Sequence, residues 1–326
     1  MSHTYHIAKN KENLELRFQI TKLIREWFWL QKFTEVETPS IVKLTGQEPN
    51  LAPMKVSVLD EQKKEFLGYL HTSPEYTMKK MLSAGFGDIF YLGKCFRNVE
   101  SFGGLHNPEF TMLEWYRVDC DFYKIMEDVE NLFSFLVDKL QIKKSKFQKI
   151  KMSELWKECV GVDLDEYLET GKMFELCQSL GYKPGKDENY EELFYRIFLD
   201  KIEPKLIGPT IVYNYPAQMA SLSKISESDP RYAERFEVYI GGMELANAFS
   251  ELIDADEQLK RLEEEQTERK RHGKEVYEID MEFIEALRNM PKSAGIALGV
   301  DRLVQVLLDC KNIDDVLTLP MSKLFS

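Results

Sequence analysis

Three stretches of this chain place charged, aromatic and small residues at spacings suited to handling a polyanion. The first is RNVESFGGLHNPEFTMLEWY, residues 97–116. Arg97 ends one apolar run, and Gly103-Gly104 make a loop able to fold over a ligand. Phe110, Met112, Glu114 and Tyr116 then share one face of the next strand. A guanidinium reads phosphate as a planar fork. Phe110 could stack on a base, and Glu114 with Tyr116 would meet a cation. An ordinary long hairpin with a buried glutamate paired to a lysine would explain Glu114 alone.

The second stretch, FEVYI-GG-MELANAF (236–249), predicts a hairpin on a two-residue glycine turn. Strict alternation pairs Ile240 with Met243, Tyr239 with Glu244 and Glu237 with Ala246. Phe236, Val238, Leu245 and Phe249 then face the core. Glu237, Glu244, Ala246 and Ala248 take the other face, with the two carboxylates roughly 7 Å apart at Cβ. Two hard oxygen ligands beside small residues suit Mg²⁺ carrying a nucleotide phosphate; a solvent-facing acidic strand is the competing reading. Asn247 and Glu251 fall on the core face under this alternation, unless a bulge turns both into the site.

The third stretch is GIALGVDR (295–302). Gly295, Ala297 and Gly299 line one strand face, so a ligand could approach the backbone closely; plain close packing of a helix on the sheet is the alternative. Arg302 falls in the first helical turn, where its charge opposes the helix dipole and an anion would join it.

The elements that must position these residues are legible in outline. Residues 11–31 predict an amphipathic helix and 33–38 a short strand ended by Pro39. Residues 66–71 read as a strand. Ser73 then reads as an N-cap with Pro74 at N1 and Glu75 in the first turn, and Gly85 stops that helix. Strands are expected at 89–97, 107–116, 210–215 and 295–300, and a long charged, solvated helix from Asp254 to about Gly273. The segment of about 121–205 reads as mainly helical, with no chemistry legible in it. Hairpin-joined strands with helices set apart predict an antiparallel α+β fold, an antiparallel sheet flanked by helices, in one domain over 1–326.

Bulk properties narrow the class. The chain has 326 residues, is 44% hydrophobic and carries a formal net charge of −12, which argues against holding nucleic acid by bulk charge. Five cysteines without a C-x-x-C pair read as reduced thiols in a cytosol. No signal peptide and no run near the ~18 apolar residues of a membrane span is visible, so a cytoplasmic protein without membrane contact is expected.

The three stretches occur in the order of the class II aminoacyl-tRNA synthetase motifs, and the chain resembles that family. Motif 1 corresponds to Arg17–Pro39 with FTEVETP, motif 2 to CFRNVESFGGLHNPEFTMLEWY, and motif 3 to GIALGVDRL. It is most similar to the lysine branch, through HTSPEY, HNPEFTMLEWY, RFEVYIGGMELANAFSEL and ALGVDR. The likeness covers nearly everything outside residues 121–205. Lysyl-tRNA synthetases carry an N-terminal OB-fold that reads the anticodon. Here motif 1 starts near residue 14, and the plan resembles the elongation factor P–lysine ligases, their paralogues. Ala297 stands where synthetases proper usually have glycine, which resembles a pocket altered for (R)-β-lysine.

The resemblance implies ATP and Mg²⁺ as cofactors and lysine or β-lysine as substrate. Arg97 would bind the α-phosphate, Asn107 would contact ATP and Phe110 would stack on adenine. His106 and Arg302 would lie at the outer phosphates, and Arg97 with Arg302 would stabilise the charge that develops. Glu237 and Glu244 would hold Mg²⁺ and ATP, with Leu245 beside them, and Gly299 would let ATP lie on the strand. Ser73, Pro74 and Glu75 would line the substrate site, Glu75 reaching the amino acid's amine. Glu114, Tyr116 and Glu251 would recognise its side chain, beside Asn247 and Ala297. One position departs from the family: its Arg-x-Glu becomes Arg97-Asn98-Val99-Glu100, and the loop to His106 is one residue longer. Either Glu100 substitutes through a shifted bulge, or the contact is lost and ATP is held more weakly. The resemblance further implies a homodimer built on the motif 1 helix and strand, elongation factor P as acceptor and no binding of tRNA. A truncated lysyl-tRNA synthetase and a non-catalytic regulatory paralogue are the alternatives.

Overall fold

The computed structural model describes residues 2–143 and 145–326. Eleven strands are present among them. In chain order they are β1 (Thr34–Glu35), β2 (Ile41–Val42), β3 (Met54–Leu59), β4 (Glu65–Leu70), β5 (Ile89–Phe96) and β6 (Glu109–Val118). There follow β7 (Gln148–Lys151), β8 (Thr210–Pro216), β9 (Tyr232–Ile240), β10 (Met243–Ser250) and β11 (Ser293–Gly299). Eight of them form one sheet in the order β1-β5-β6-β11-β10-β9-β8-β7. It is antiparallel except for the outer pairs β1–β5 and β7–β8. Strands β2, β4 and β3 make a separate small sheet. This is the expected α+β arrangement.

The long apolar stretches become strands because their apolar residues find a second layer. Ile20, Ile24 and Phe28 of the helix Lys11–Leu30 and Ile125, Val129 and Leu132 of the helix Phe122–Leu140 cover one face of the sheet. Phe28 stacks on Phe90 of β5 with ring centroids 4.5 Å apart and meets Trp115 of β6 edge-on. Ala246 and Ala248 of β10 and Ala294, Ile296 and Leu298 of β11 complete that core. The other face of the central strands is left for the site.

The stretch of about 121–205, expected to be mainly helical, holds four α-helices among its described residues and also the edge strand β7, and its residues divide between two cores. Helix Phe122–Leu140 packs on the main sheet, whereas the helices Met152–Cys159, Thr170–Ser179 and Tyr190–Lys201 gather a second cluster around Trp156, Phe194 and Phe198. Lys144, within that stretch, lies outside the described residues. Several elements escaped the sequence reading, among them the helix His3–Lys9, the two-residue β2, β3, whose side chains are mostly exposed, β7 and the helix Met281–Leu287.

The hairpin corrects the expected register. Gly241 and Gly242 sit at φ +67° and +68°, as a tight two-residue turn requires, and Ile240–Met243 and Tyr239–Glu244 pair as expected. The pairing then slips by one residue between Glu244 and Ala246. Glu237 therefore pairs with Asn247 rather than Ala246, and Val238 with Ala246. Because side chains alternate with period two, this bulge exchanges the faces. Ala246 and Ala248 enter the core, while Asn247 and Phe249 turn to the site.

The first and third motifs are joined by a buried ion pair. Arg17 of the helix Lys11–Leu30 meets Asp301 at 2.6 Å, with both side chains almost wholly shielded. Asp301 also accepts the Thr111 N–H at 3.0 Å, and Arg17 donates to the Thr111 hydroxyl at 2.9 Å. Removing one partner leaves a buried charge uncompensated. Asp301→Ala is expected to lower stability by about 3–5 kcal/mol in urea denaturation, whereas the double change Arg17→Met with Asp301→Leu recovers most of the loss. Equal losses in both variants would contradict this account.

Candidate active site

Strand register writes the floor of the site. β6, β11, β10 and β9 set Glu114, Ala297, Asn247 and Glu237 side by side. One step along, the same strands set Tyr116, Gly295, Phe249 and Arg235 side by side. A cavity of about 290 Å³ lies over these rows. Its lining brings together Ser73, Glu75, Arg97, Glu100, His106, Asn107, Phe110, Glu114, Tyr116, Glu244, Leu245, Asn247, Ala297, Gly299 and Arg302. Of the residues expected from the sequence, Pro74, Glu237 and Glu251 lie outside that lining.

One end of the cavity is an acid-rich pocket. The helix Glu75–Ser83 starts where Ser73 accepts the Glu75 N–H at 3.1 Å, one residue later than the sequence suggested. The same hydroxyl donates to Glu114 at 2.8 Å, and the Tyr116 hydroxyl donates to the other Glu114 oxygen at 2.7 Å. Glu114 is thereby fixed in direction. Lys79, fully buried, lies 2.6 Å from Glu75 and 2.6 Å from Glu251. Burial opposes its charge, yet the Glu251 and Glu75 carboxylates hold the ammonium above its ordinary range. Three carboxylates thus share one ammonium. Burial pushes the Glu114 carboxyl up to about 8, reinforced by Glu75. Burial does the same to Glu251, which also reaches about 8 despite Lys79. Lys79 was missed from the sequence, although its i,i+4 spacing from Glu75 was the available signal.

Gly295 is required here. A Cβ on it would lie 2.3 and 2.5 Å from Tyr116 ring carbons and 2.8 Å from a Glu251 oxygen. The Tyr116 ring and a Glu251 oxygen therefore both pack against a bare stretch of β11.

The other end is built for an anion. The Arg97 guanidinium rests over the Phe110 ring, 5.0 Å from its centroid, and its Nε is shielded from solvent without a hydrogen-bond partner. Arg302, at the start of the helix Val300–Leu307, donates to His106 Nε2 at 2.7 Å and to the Glu244 carbonyl at 2.8 Å. Burial and then the Arg302 charge lower the His106 pKa, so its Nε2 serves as a neutral acceptor. The loop between them is anchored, since Gly104 donates to the Asn312 side chain at 3.1 Å and accepts the Ile313 N–H at 2.9 Å. Val99 adopts φ +61° and points into solvent, while Glu100 lines the cavity. The chain thus takes a left-handed step at Val99 just before Glu100 enters the lining.

Glu244 and Glu237 divide unequally. Burial and then the charge of Glu237 push the Glu244 carboxyl up to about 7. Glu237 is already engaged: Arg235 donates to it at 2.7 Å and Tyr215 at 2.6 Å, and the Tyr239 hydroxyl donates as well. Glu244 therefore has the open carboxylate for a hard divalent cation, with Glu237 adding negative charge from behind. Arg235, which also donates to the Asn247 side chain at 3.0 Å, was not anticipated. Among the described residues no cluster of three or more metal-ligating side chains occurs, and no helix is long and apolar enough to cross a membrane.

Comparison with known proteins agrees with the fold. The family model of the class II tRNA synthetases (D, K and N) matches residues 4–323. An elongation factor P–(R)-beta-lysine ligase of Yersinia enterocolitica is 39% identical over 316 residues, covering 95% of this chain and 95% of that protein. A protein of the same name from Proteus mirabilis is 38% identical over 313 residues, with the same coverage of both. The chain belongs to the class II tRNA synthetase family.

The Tyr116–Gly295 contact gives a direct test of the pocket. Gly295→Ala must displace the Tyr116 ring and with it the clamp on Glu114. The expected cost is about 1–3 kcal/mol of stability, together with loss of ligand-induced thermal stabilisation. A variant that retains both the wild-type melting temperature and the ligand shift would refute the role of the bare strand.

Proposed function

We propose that this chain is an ATP-dependent ligase that activates lysine, preferably (R)-β-lysine, as an aminoacyl-adenylate and transfers it to a lysine side chain of elongation factor P. The observation that carries the reading is the charge of the pocket. Once ionised, Glu75, Glu114 and Glu251 against Lys79 leave an excess of two negative charges, which matches the two ammonium groups that lysine brings. The clamped Glu114 would take one of them, beside Glu251, and Glu75 the other. Ala297, facing Glu114 and Asn247 across the sheet, adds a methyl to the floor and would shift the ligand backbone, as an isomer with a displaced amine needs.

In this reading the amino acid carboxylate attacks the α-phosphorus of ATP, and pyrophosphate leaves. Arg97 and Arg302 supply fixed positive charge where negative charge develops, and the arrangement works by positioning and electrostatics without a general base. Glu244 would hold Mg²⁺, with Glu237 behind it, and the bound ion would add Lewis-acid stabilisation of the phosphates. Asn107, fixed by donating to the Glu109 carbonyl at 2.6 Å and accepting the Met321 N–H at 2.9 Å, would meet the nucleotide beside Phe110. A homodimer is part of the proposal, supported by Phe18, Trp29 and Leu30, which the motif 1 helix leaves exposed. The cytoplasm is the proposed location. The acidic balance of the chain weighs against tRNA as acceptor.

Pyrophosphate exchange should proceed with (R)-β-lysine in preference to L-lysine, and the labelled adenylate should pass to elongation factor P and not to tRNA. No exchange with either amino acid would overturn the enzyme reading; transfer to tRNA alone would overturn the acceptor.

The raised carboxyls fix a sign for pH. In the ligand-free protein Glu114 and Glu251 keep protons up to about pH 8, whereas unfolded they release them near 4.5. Their contribution to stability is present below pH 4.5 and is lost as pH rises toward 8. An ammonium ligand needs them ionised. Lysine affinity should therefore rise from pH 6 to 8.5, with release of on the order of one proton per ligand at pH 7. Calorimetry in buffers of different ionisation heat measures this. Glu114→Gln should raise KM for the amino acid about tenfold to a hundredfold.

A further inference from the structure

A second cavity, of about 470 Å³, lies on the far side of the wall that carries Ser73 and Glu75. Its lining comes from the segment after β1, from the helix Glu75–Ser83 and from the approach to the helix Met281–Leu287. The two cavities share three residues, Glu48, Ser73 and Glu75, and so meet at the acid-rich end of the first. The second is itself acidic: Glu48, Glu75, Glu278, Asp280 and Glu282 face it, against Lys43 and Lys80. Lys80 is occupied by Asp280 at 2.7 Å.

Glu48 stands apart from the others on the shared wall. Its Oε2 is shielded from solvent and has no hydrogen-bond partner. The side chain folds back over Gly46, where a Cβ would come within 2.1 Å of that oxygen. Burial, then the neighbouring Glu75, raise its carboxyl above the ordinary range. A shielded, unpartnered carboxylate oxygen is costly unless a cation or donor arrives to meet it.

At the moment of transfer the first cavity must hold the amino acid and the nucleotide together, so a third reactant needs an approach of its own. We propose that the second cavity admits the acceptor lysine side chain, and that Glu48 receives its ammonium and accepts one proton from it. This rests on the ligase reading above and adds the route of the acceptor. The freed amine attacks the aminoacyl carbonyl carbon. The C–N bond forms as the carbonyl C–O bond to the phosphate breaks, that electron pair leaves with AMP, and the second proton on nitrogen passes to water. The rim acids Glu278 and Glu282, both exposed, draw the cationic side chain in.

The test compares two fates of the same adenylate. Hydroxylamine is small enough to trap it as the hydroxamate by any path, whereas elongation factor P needs the proposed one. Two variants are made in the full chain, Glu48→Gln and the charge reversal Glu278→Lys with Glu282→Lys. For Glu48→Gln, the ratio of transfer to hydroxamate formation should fall about a hundredfold, mainly in kcat. For the charge reversal it should fall about threefold to tenfold through KM for elongation factor P. Hydroxamate formation reports in each case that the variant is folded and activating, and the exposed pair decides alone if Glu48→Gln does not fold. A wild-type ratio in either variant that forms hydroxamate overturns the route and leaves the ligase reading standing. Absence of both exchange and hydroxamate in the unmodified chain overturns the ligase reading instead.

Discussion

The structure turns on a charge imbalance kept out of water. Glu75, Glu114 and Glu251 converge on a pocket where Lys79 is the sole buried ammonium among the described residues that pairs with them. Such a cluster resists full ionisation on its own, because each carboxylate pays desolvation and repels the others. Its neighbours offset this in kind. Ser73 and Tyr116 donate to Glu114, and Lys79 bridges the other two acids. The remaining deficit is what a dicationic ligand supplies. The fold can carry this because one sheet face is closed by a large apolar core, which leaves the other free to bear polar rows.

Around that pocket the three motifs are held by interactions that have no part in ligand chemistry. Arg17 and Asp301 tie the helix Lys11–Leu30 to the helix that follows β11, and the same pair grips Thr111 of β6. A change in any one motif is thus felt by the other two. The anionic end follows the same logic. Arg302 is steadied by His106 and by the Glu244 carbonyl, so its position depends on the motif 2 loop and on the bulged strand together.

Much of this was legible in the sequence. The hairpin turn announced by Gly241-Gly242 and the small-residue face of β11 are local signals found where their chemistry placed them, whereas the helix after Ser73 starts one residue later than its cap signal implied. The register beyond Glu244 was harder. Strict alternation put Asn247 and Glu251 on the wrong side, and only their polarity hinted at a slip. The bulge lies between Glu244 and Ala246 in the pairing with β9, and no single residue type announces it. Lys79 and Arg235 went unnoticed because a lysine in a helix and an arginine at a strand start are ordinary surface residues in one dimension. Their burial is set by the acids they meet in three. Glu48 was invisible for the same reason, since its segment has no periodicity to betray which way a side chain turns.

The bulge at Leu245 carries a consequence for how this protein can change. Downstream of it every residue of β10 is read one step out of phase with the residues upstream. The strand behaves like a sentence whose frame has been shifted once, on purpose, midway. Swapping a letter alters one word. Pairing the same residues without the slip would send Asn247 and Phe249 into the core and bring Ala246 and Ala248 out to the site. The one unpaired residue of the bulge thus belongs to the site as much as the side chains that it aims.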